Sequence, residues 1–191
     1  MGRVVIEPKR FKKGDRVYLR KAGVAHVSGY SGPLGEAPVP VKVKDAASYL
    51  LEVEEGGRAQ VAFEQAEHLL RPLIDAEEAR TILKVLRAKE PGGDLSKLKV
   101  TAVIERSTRI SEEGTPSEQA QFLRDLYAIE APLTESQELS IITYERLVLP
   151  EVALALDQPL EKIRDELRGR YPALSQRLAT NQRLFQHRSR L

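Results

Sequence analysis

The chain has 191 residues, 41% of them hydrophobic, and sets 30 Lys and Arg against 28 Asp and Glu for a formal net charge of +2. That apolar content suffices for one ordinary core or two small ones and excludes a disordered chain, while the balanced charge means that any nucleic-acid contact must come from local patches. The absence of cysteine excludes disulfides and thiolate chemistry, and no stretch approaches the roughly 18 apolar residues of a membrane span, so a soluble, unexported protein is expected.

Up to about residue 70 the signals are those of strands. Short runs rich in Val, Tyr and Leu, such as DRVYLRKAGVAHV and PVPVKVKDAASYLLEVEEGGRAQVAF, are interrupted by Gly and Pro clusters. Tyr49 to Glu54 and Arg58 to Phe63 flank Glu55-Gly56-Gly57, a hairpin pattern in which the glycines supply the positive φ of a tight turn. Between the earlier strands, SGYSGPLGEAPVP carries glycines and prolines that suit an exposed, mobile loop.

From Asp75 the pattern becomes helical. Asp75 to Glu78, Thr115 to Glu118 and Thr134 to Gln137 each read as capping boxes, the second with Pro116 at the favoured first position. Helices are predicted over residues 75–90, 97–112, 116–130 and 134–156, with breaks at Pro91-Gly92-Gly93 and Gly114. Pro150 is expected to kink the last of these or to end it near Leu149. Two shorter amphipathic helices, residues 160–170 and 173–186, follow on either side of Tyr171-Pro172. The expected architecture is α+β, with a β-domain over residues 1–72 and a helical domain over residues 73–191 that carries a basic C-terminal extension.

Catalytic patterns are missing. There is no serine nucleophile elbow, no HExxH and no phosphate-gripping GxxxxGK[ST], and Gly29, Gly32 and Gly35 read as loop glycines. His26, His68 and His187 lie far apart and without an obvious partner, so neither a general base nor a metal site is expected, nor any cofactor. Paired acids at Glu54-Glu55, Glu77-Glu78 and Glu112-Glu113 sit beside turns or in a first helical turn, where they face solvent or favour the helix dipole. Basic clusters remain: Arg3, Lys9, Arg10, Lys12, Lys13 and Arg16 near the start, Lys97, Lys99, Arg106 and Arg109 along one predicted helix, and an acid-free tail from Arg168 to Arg190. Such patches give weak, salt-sensitive, sequence-independent phosphate contact, and a merely solvated face is an equally good reading of each taken alone.

Taken together, these segments resemble the CarD/CdnL family of bacterial transcription regulators. Phe11 to Val17 (FKKGDRV) is similar to the family's opening F-x-x-G-D-x-V, and Gly23-Val24 fits the step after it. Gly114, Ala120 and Arg124 to Tyr127 (RDLY) resemble G…A-x-x-x-R-D-L-W/Y, and Leu133-Thr134 through Glu138-Leu139 to Glu151 resembles the family's L-S-x-x-E-x-x-x-L followed by an acidic residue. The resemblance covers about residues 11–156. It implies a Tudor-like, SH3-like N-terminal barrel that pairs an edge strand with the protrusion (β1) lobe of the RNA polymerase β subunit. It also implies a helical domain that touches promoter DNA, without reading sequence, beside the upstream edge of the bubble.

On this alignment the polymerase-binding strand is Arg58, Gln60, Val61, Ala62 and Phe63, with Gln60 where relatives carry arginine and Ala62 where they carry proline. The DNA-binding residues are Lys97, Lys99, Val100, Arg106 and Arg109, with Val100 at the place of the family's wedging tryptophan. The expected protein is a non-catalytic, cytoplasmic monomer associated with the nucleoid through polymerase. Two other readings stay open: a small barrel that binds nucleic acid by itself, and an adaptor for a different protein.

Overall fold

The computed structural model describes residues 3–6, 10–32, 35–38, 47–88, 93, 95–129 and 133–171. The chain divides into two compact units, Met1–Leu73 and Ile74–Leu191.

In the first unit, β2 (Arg16–Leu19), β3 (Gly23–Ser31), β5 (Ser48–Val53), β6 (Arg58–Ala62) and β7 (Leu70–Pro72) form an antiparallel sheet of order β6-β5-β3-β2-β7. The sheet is open, with no described pairing between β6 and β7. A separate ribbon pairs β1 (Arg3–Ile6) with β4 (Gly35–Pro38). A short helix, α1 (Ala66–Leu69), leads into β7.

Entry to β2 is set by local chemistry. Gly14 takes φ +94°, and the Asp15 carboxylate accepts from the Lys12 N–H at 2.7 Å, closing the turn that launches the strand. Alternation then sends Val17, Leu19, Tyr49, Leu51 and Val61 into one core face. Tyr49 is central to it, with ring centroids 4.6 Å from Phe63 and 6.0 Å from Phe11. The β5–β6 hairpin turns through Gly56 (φ +103°) and Gly57 (φ +100°), as the paired glycines require.

The segment expected to be an exposed loop is largely strand. β3 runs on to Ser31 past a bulge between Val27 and Gly29 because β5 continues to pair with it, and Gly35–Pro38 pairs with β1. Pro38 is the last residue of a strand in a two-stranded ribbon, where a missing amide donor costs least.

The second unit contains α2 (Ala76–Arg87), α3 (Val100–Glu113), α4 (Pro116–Tyr127), α5 (Glu135–Ala155) and α6 (Leu160–Gly169). Thr115/Glu118 and Thr134/Gln137 form reciprocal capping boxes. Asp75 caps α2 in one direction only, its Oδ1 accepting from the Glu77 and Glu78 amides at 2.9 and 2.8 Å. α3 starts later than its pattern suggests, at Val100, after a separate 3-10 turn over Leu95–Lys97.

Pro150 does not end α5, which continues to Ala155. Every residue from Leu147 to Ala153 is buried, so neighbours enclose the helix on all sides and their packing outweighs the one backbone bond that proline removes. Glu151 is part of that enclosure, accepting the Ile74 N–H at 3.0 Å. The helix predicted over residues 173–186 lies outside the described residues.

Candidate functional site

β6 is the open edge of the five-stranded sheet. Its ladder to β5 is bracketed by two bonds, the Val53 N–H to Gly57 O at 3.1 Å and the Phe63 N–H to Ala47 O at 3.0 Å. Antiparallel pairing alternates, so Ala59 and Val61 also turn their backbone groups toward β5, and Arg58, Gln60 and Ala62 turn theirs away from it. Among the described residues no strand takes up those outward groups. The opposite edge, β7, is short and ends in Pro72, two features that discourage pairing.

The side chains divide in the same way. Val61 is 3% exposed and part of the core, and Phe63 packs against that core, so neither offers its side chain at the edge. Arg58 and Gln60 are exposed and Ala62 is half-buried on the other face. The Gln60 amide donates from Nε2 to Ser31 Oγ at 2.9 Å, reaching two strands inward to β3. Arg58 Nε lies 3.7 Å from Glu52 Oε1, and the other oxygen of that carboxylate lies 3.2 Å from His26 Nε2. Register therefore lines Arg16, His26, Glu52 and Arg58 across four strands, and Arg16 turns to Glu54 at 3.3 Å.

In the second unit the five residues expected to touch DNA do not share one surface. Lys97, Lys99 and Val100 are exposed together at the start of α3, whose first turn carries no acid. Arg109 is exposed two turns further on. The Glu118 carboxyl is held below the usual carboxylate range, first by the Thr115 N–H and hydroxyl and to a smaller degree by the Arg109 charge. Arg106 falls on the stripe of Val103 and Ile110, which faces the core, and its guanidinium sits 5.7 Å from the Phe122 ring centroid. It is a packing residue here, a role that a charge count cannot reveal.

Sequence reasoning missed Leu98 and Ile104, large apolar side chains that are 42% and 43% exposed beside Val100 at 39%. The spacing of Val100 and Ile104, four residues apart and so on one helix face, is the signal that could have found the second. The start of α3 thus offers apolar side chains with lysines among them.

Several arginines of the helical unit are engaged inside it. Arg124 grips Asp125 Oδ1 at 2.8 Å. Glu145, 3% exposed, accepts from the Tyr127 hydroxyl at 2.7 Å and from Arg168 Nε and Nη2 at 3.0 and 2.5 Å, and Arg164 Nε stands 3.6 Å away. Burial, and then the Glu145 charge, push the Tyr127 hydroxyl well above its ordinary pKa. Arg168 is therefore part of the fold, although the sequence reads it as the beginning of a free basic tail.

Among the described residues no group of His, Cys, Asp or Glu is arranged to hold a metal, and no helix is long and apolar enough to cross a membrane. A scan against protein-family models finds no match for this chain, and a search of curated proteins finds none either.

Proposed function

We propose that this chain is a non-catalytic transcription regulator of the CarD type, in which a small Tudor-like β-unit pairs with the RNA polymerase β subunit and the helical unit contacts promoter DNA beside the upstream bubble edge. It acts in the bacterial cytoplasm as a monomer, without a cofactor.

One observation carries the reading: β6, the strand aligned with the family's polymerase contact, is the open edge of its sheet, with the backbone of Arg58, Gln60 and Ala62 facing outward. An open edge binds an extended segment through main-chain hydrogen bonds, and side chains at the edge set selectivity. The turn at Gly14 and Asp15 agrees with the glycine and aspartate of the FKKGDRV segment. For DNA, Leu98, Val100 and Ile104 supply apolar contact, and Lys97 and Lys99 supply charge for flanking phosphates. The valine lacks the ring area and the indole donor of a tryptophan, so open promoters are stabilised less than by a tryptophan-bearing relative.

The test is capture of purified bacterial RNA polymerase by the immobilised full chain. Gln60→Pro removes an outward amide and leaves the β5 ladder intact, whereas Val61→Pro would break the ladder and the core together. Capture by the wild type and its loss in Gln60→Pro support the reading. Absence of capture by the wild type sinks it, and polymerase-independent, steeply salt-dependent DNA binding would then favour a nucleic-acid module.

A further inference from the structure

The edge strand carries more information than an available ladder, because the two exposed side chains on its outer face are held differently. Gln60 is tied by Ser31, two strands away, through Nε2 and the serine hydroxyl at 2.9 Å. That bond fixes the side-chain amide and leaves its oxygen and one N–H for a neighbour, which makes Gln60 a neutral donor–acceptor surface. Arg58 has an 85% exposed side chain, and its nearest anion, Glu52, stands at 3.7 Å and is shared with His26. A second carboxylate can therefore be received by the Arg58 fork without displacing a close pair. On the core face of the same strand, Val61 is buried and Ala59 is half-buried, so a strand added beside β6 extends an apolar surface there.

Resting on the reading of β6 as a binding edge, we infer that this edge selects an antiparallel segment with a neutral polar side chain opposite Gln60, a carboxylate opposite Arg58 and apolar side chains opposite Val61 and Ala59. In the partner's own chain direction the order is apolar, neutral polar, apolar, acidic. Outward backbone groups at Ala62, Gln60 and Arg58 each exchange two hydrogen bonds with the residue they face, which fixes the register. Ser31 acts as a positioning residue: it orients Gln60 and itself lies two strands from the partner.

The probe is a capped peptide of sequence Thr-Val-Asn-Val-Glu, titrated into the isotopically labelled full chain and followed by NMR, against the isomer with Asn and Glu exchanged. Binding of the first peptide is expected to be about tenfold tighter, the scale of one charge-assisted hydrogen bond. Methylating its Asn amide, which faces β6, abolishes binding, and methylating the amide of the Val before it does not. Gln60→Arg shifts preference toward the exchanged isomer, and Ser31→Ala narrows the ratio while leaving the spectrum of the folded chain intact. Equal binding of the two isomers, or equal effects of methylation at the two amides, overturns the inference. Polymerase capture separates it from the reading beneath it. Peptide selection without capture keeps this inference and discards polymerase as the partner, and capture unaffected by Arg58→Glu and Gln60→Arg together does the reverse.

Discussion

Replacing Glu145 by glutamine would test whether the helical unit is held by its buried charge cluster. The carboxylate is 3% exposed and serves Tyr127 and two guanidinium nitrogens of Arg168, with Arg164 close by, so it links α4, α5 and α6. Glutamine keeps the volume and can keep the tyrosine bond. Its amide group, however, would turn donors toward Arg168, whose side chain is only 19% exposed, as Arg164 is only 18%. Removing one member of a buried pair strands the other charge, which costs about 3 kcal/mol, so the helical transition in thermal unfolding should fall by roughly 6–12 °C. Urea unfolding followed by far-UV circular dichroism measures it, with an unchanged slope showing that the unfolded state is the same. Arg168→Met in the Glu145→Gln background should be far less damaging than the two single losses added, giving a coupling of about 2 kcal/mol. A single-mutant loss under about 1 kcal/mol, or additive losses, would refute the argument.

Burial raises the Tyr144 pKa to about 12, and its hydroxyl donates to Ser107 O at 2.6 Å. Since the folded value lies above the unfolded one, this contribution is complete below pH 10.0 and is lost as pH rises toward 12, and Tyr144→Phe should flatten the alkaline slope of stability in that window. Gly114→Ala would place a Cβ 2.4 Å from the Ile110 carbonyl oxygen, so α3 must shift at its end, with a loss of about 1–3 kcal/mol in denaturant unfolding. Ala62→Pro should be tolerated and add about 0.4–1 kcal/mol, because Ala62 already has φ −59° and its amide faces away from β5; a loss of stability would contradict the assigned pairing. Val100→Trp should lengthen the lifetime of open promoter complexes, and equal lifetimes would count against α3 as the DNA contact.

Legibility in the sequence followed how local each cause is. Thr115, Pro116 and Thr134 announced their helices because a cap and its amide lie within four residues. Gly56-Gly57 announced the hairpin for the same reason. The length of β3 and the pairing of β4 depend on strands distant in the chain, so glycines and prolines there read as loop. Pro150 does not end α5, because its local cost is smaller than the packing around Leu147 to Ala153. At the candidate site, the edge position of β6 followed from an aligned motif, whereas the burial of Val61 and the inward turn of Arg106 needed the fold itself.

The arginines bring the two proposed surfaces into one mechanism. Along the sequence the helical half nearly balances its cations and acids, and several of its arginines are engaged inside the unit: Arg87 is paired with Glu166, Arg124 with Asp125, Arg168 with Glu145, and Arg106 lies over Phe122. Arg87 and Arg168 tie helices together, Arg124 is paired within α4 and Arg106 packs against an aromatic ring, while the exposed cations in and just before α3 include Lys97, Lys99 and Arg109. Phosphate contacts so few give weak affinity, with a salt slope that drops by about 1 for each lysine removed. Such a surface would hardly occupy DNA from free solution. Under the proposed function, tethering through β6 would bring the same surface to promoter DNA at an effective concentration on the order of millimolar, high enough for a weak contact to be populated. The proposed function therefore requires the edge strand first: breaking it with Gln60→Pro should abolish any effect on open promoters even with α3 intact, whereas neutralising Lys97 and Lys99 should leave polymerase capture unchanged.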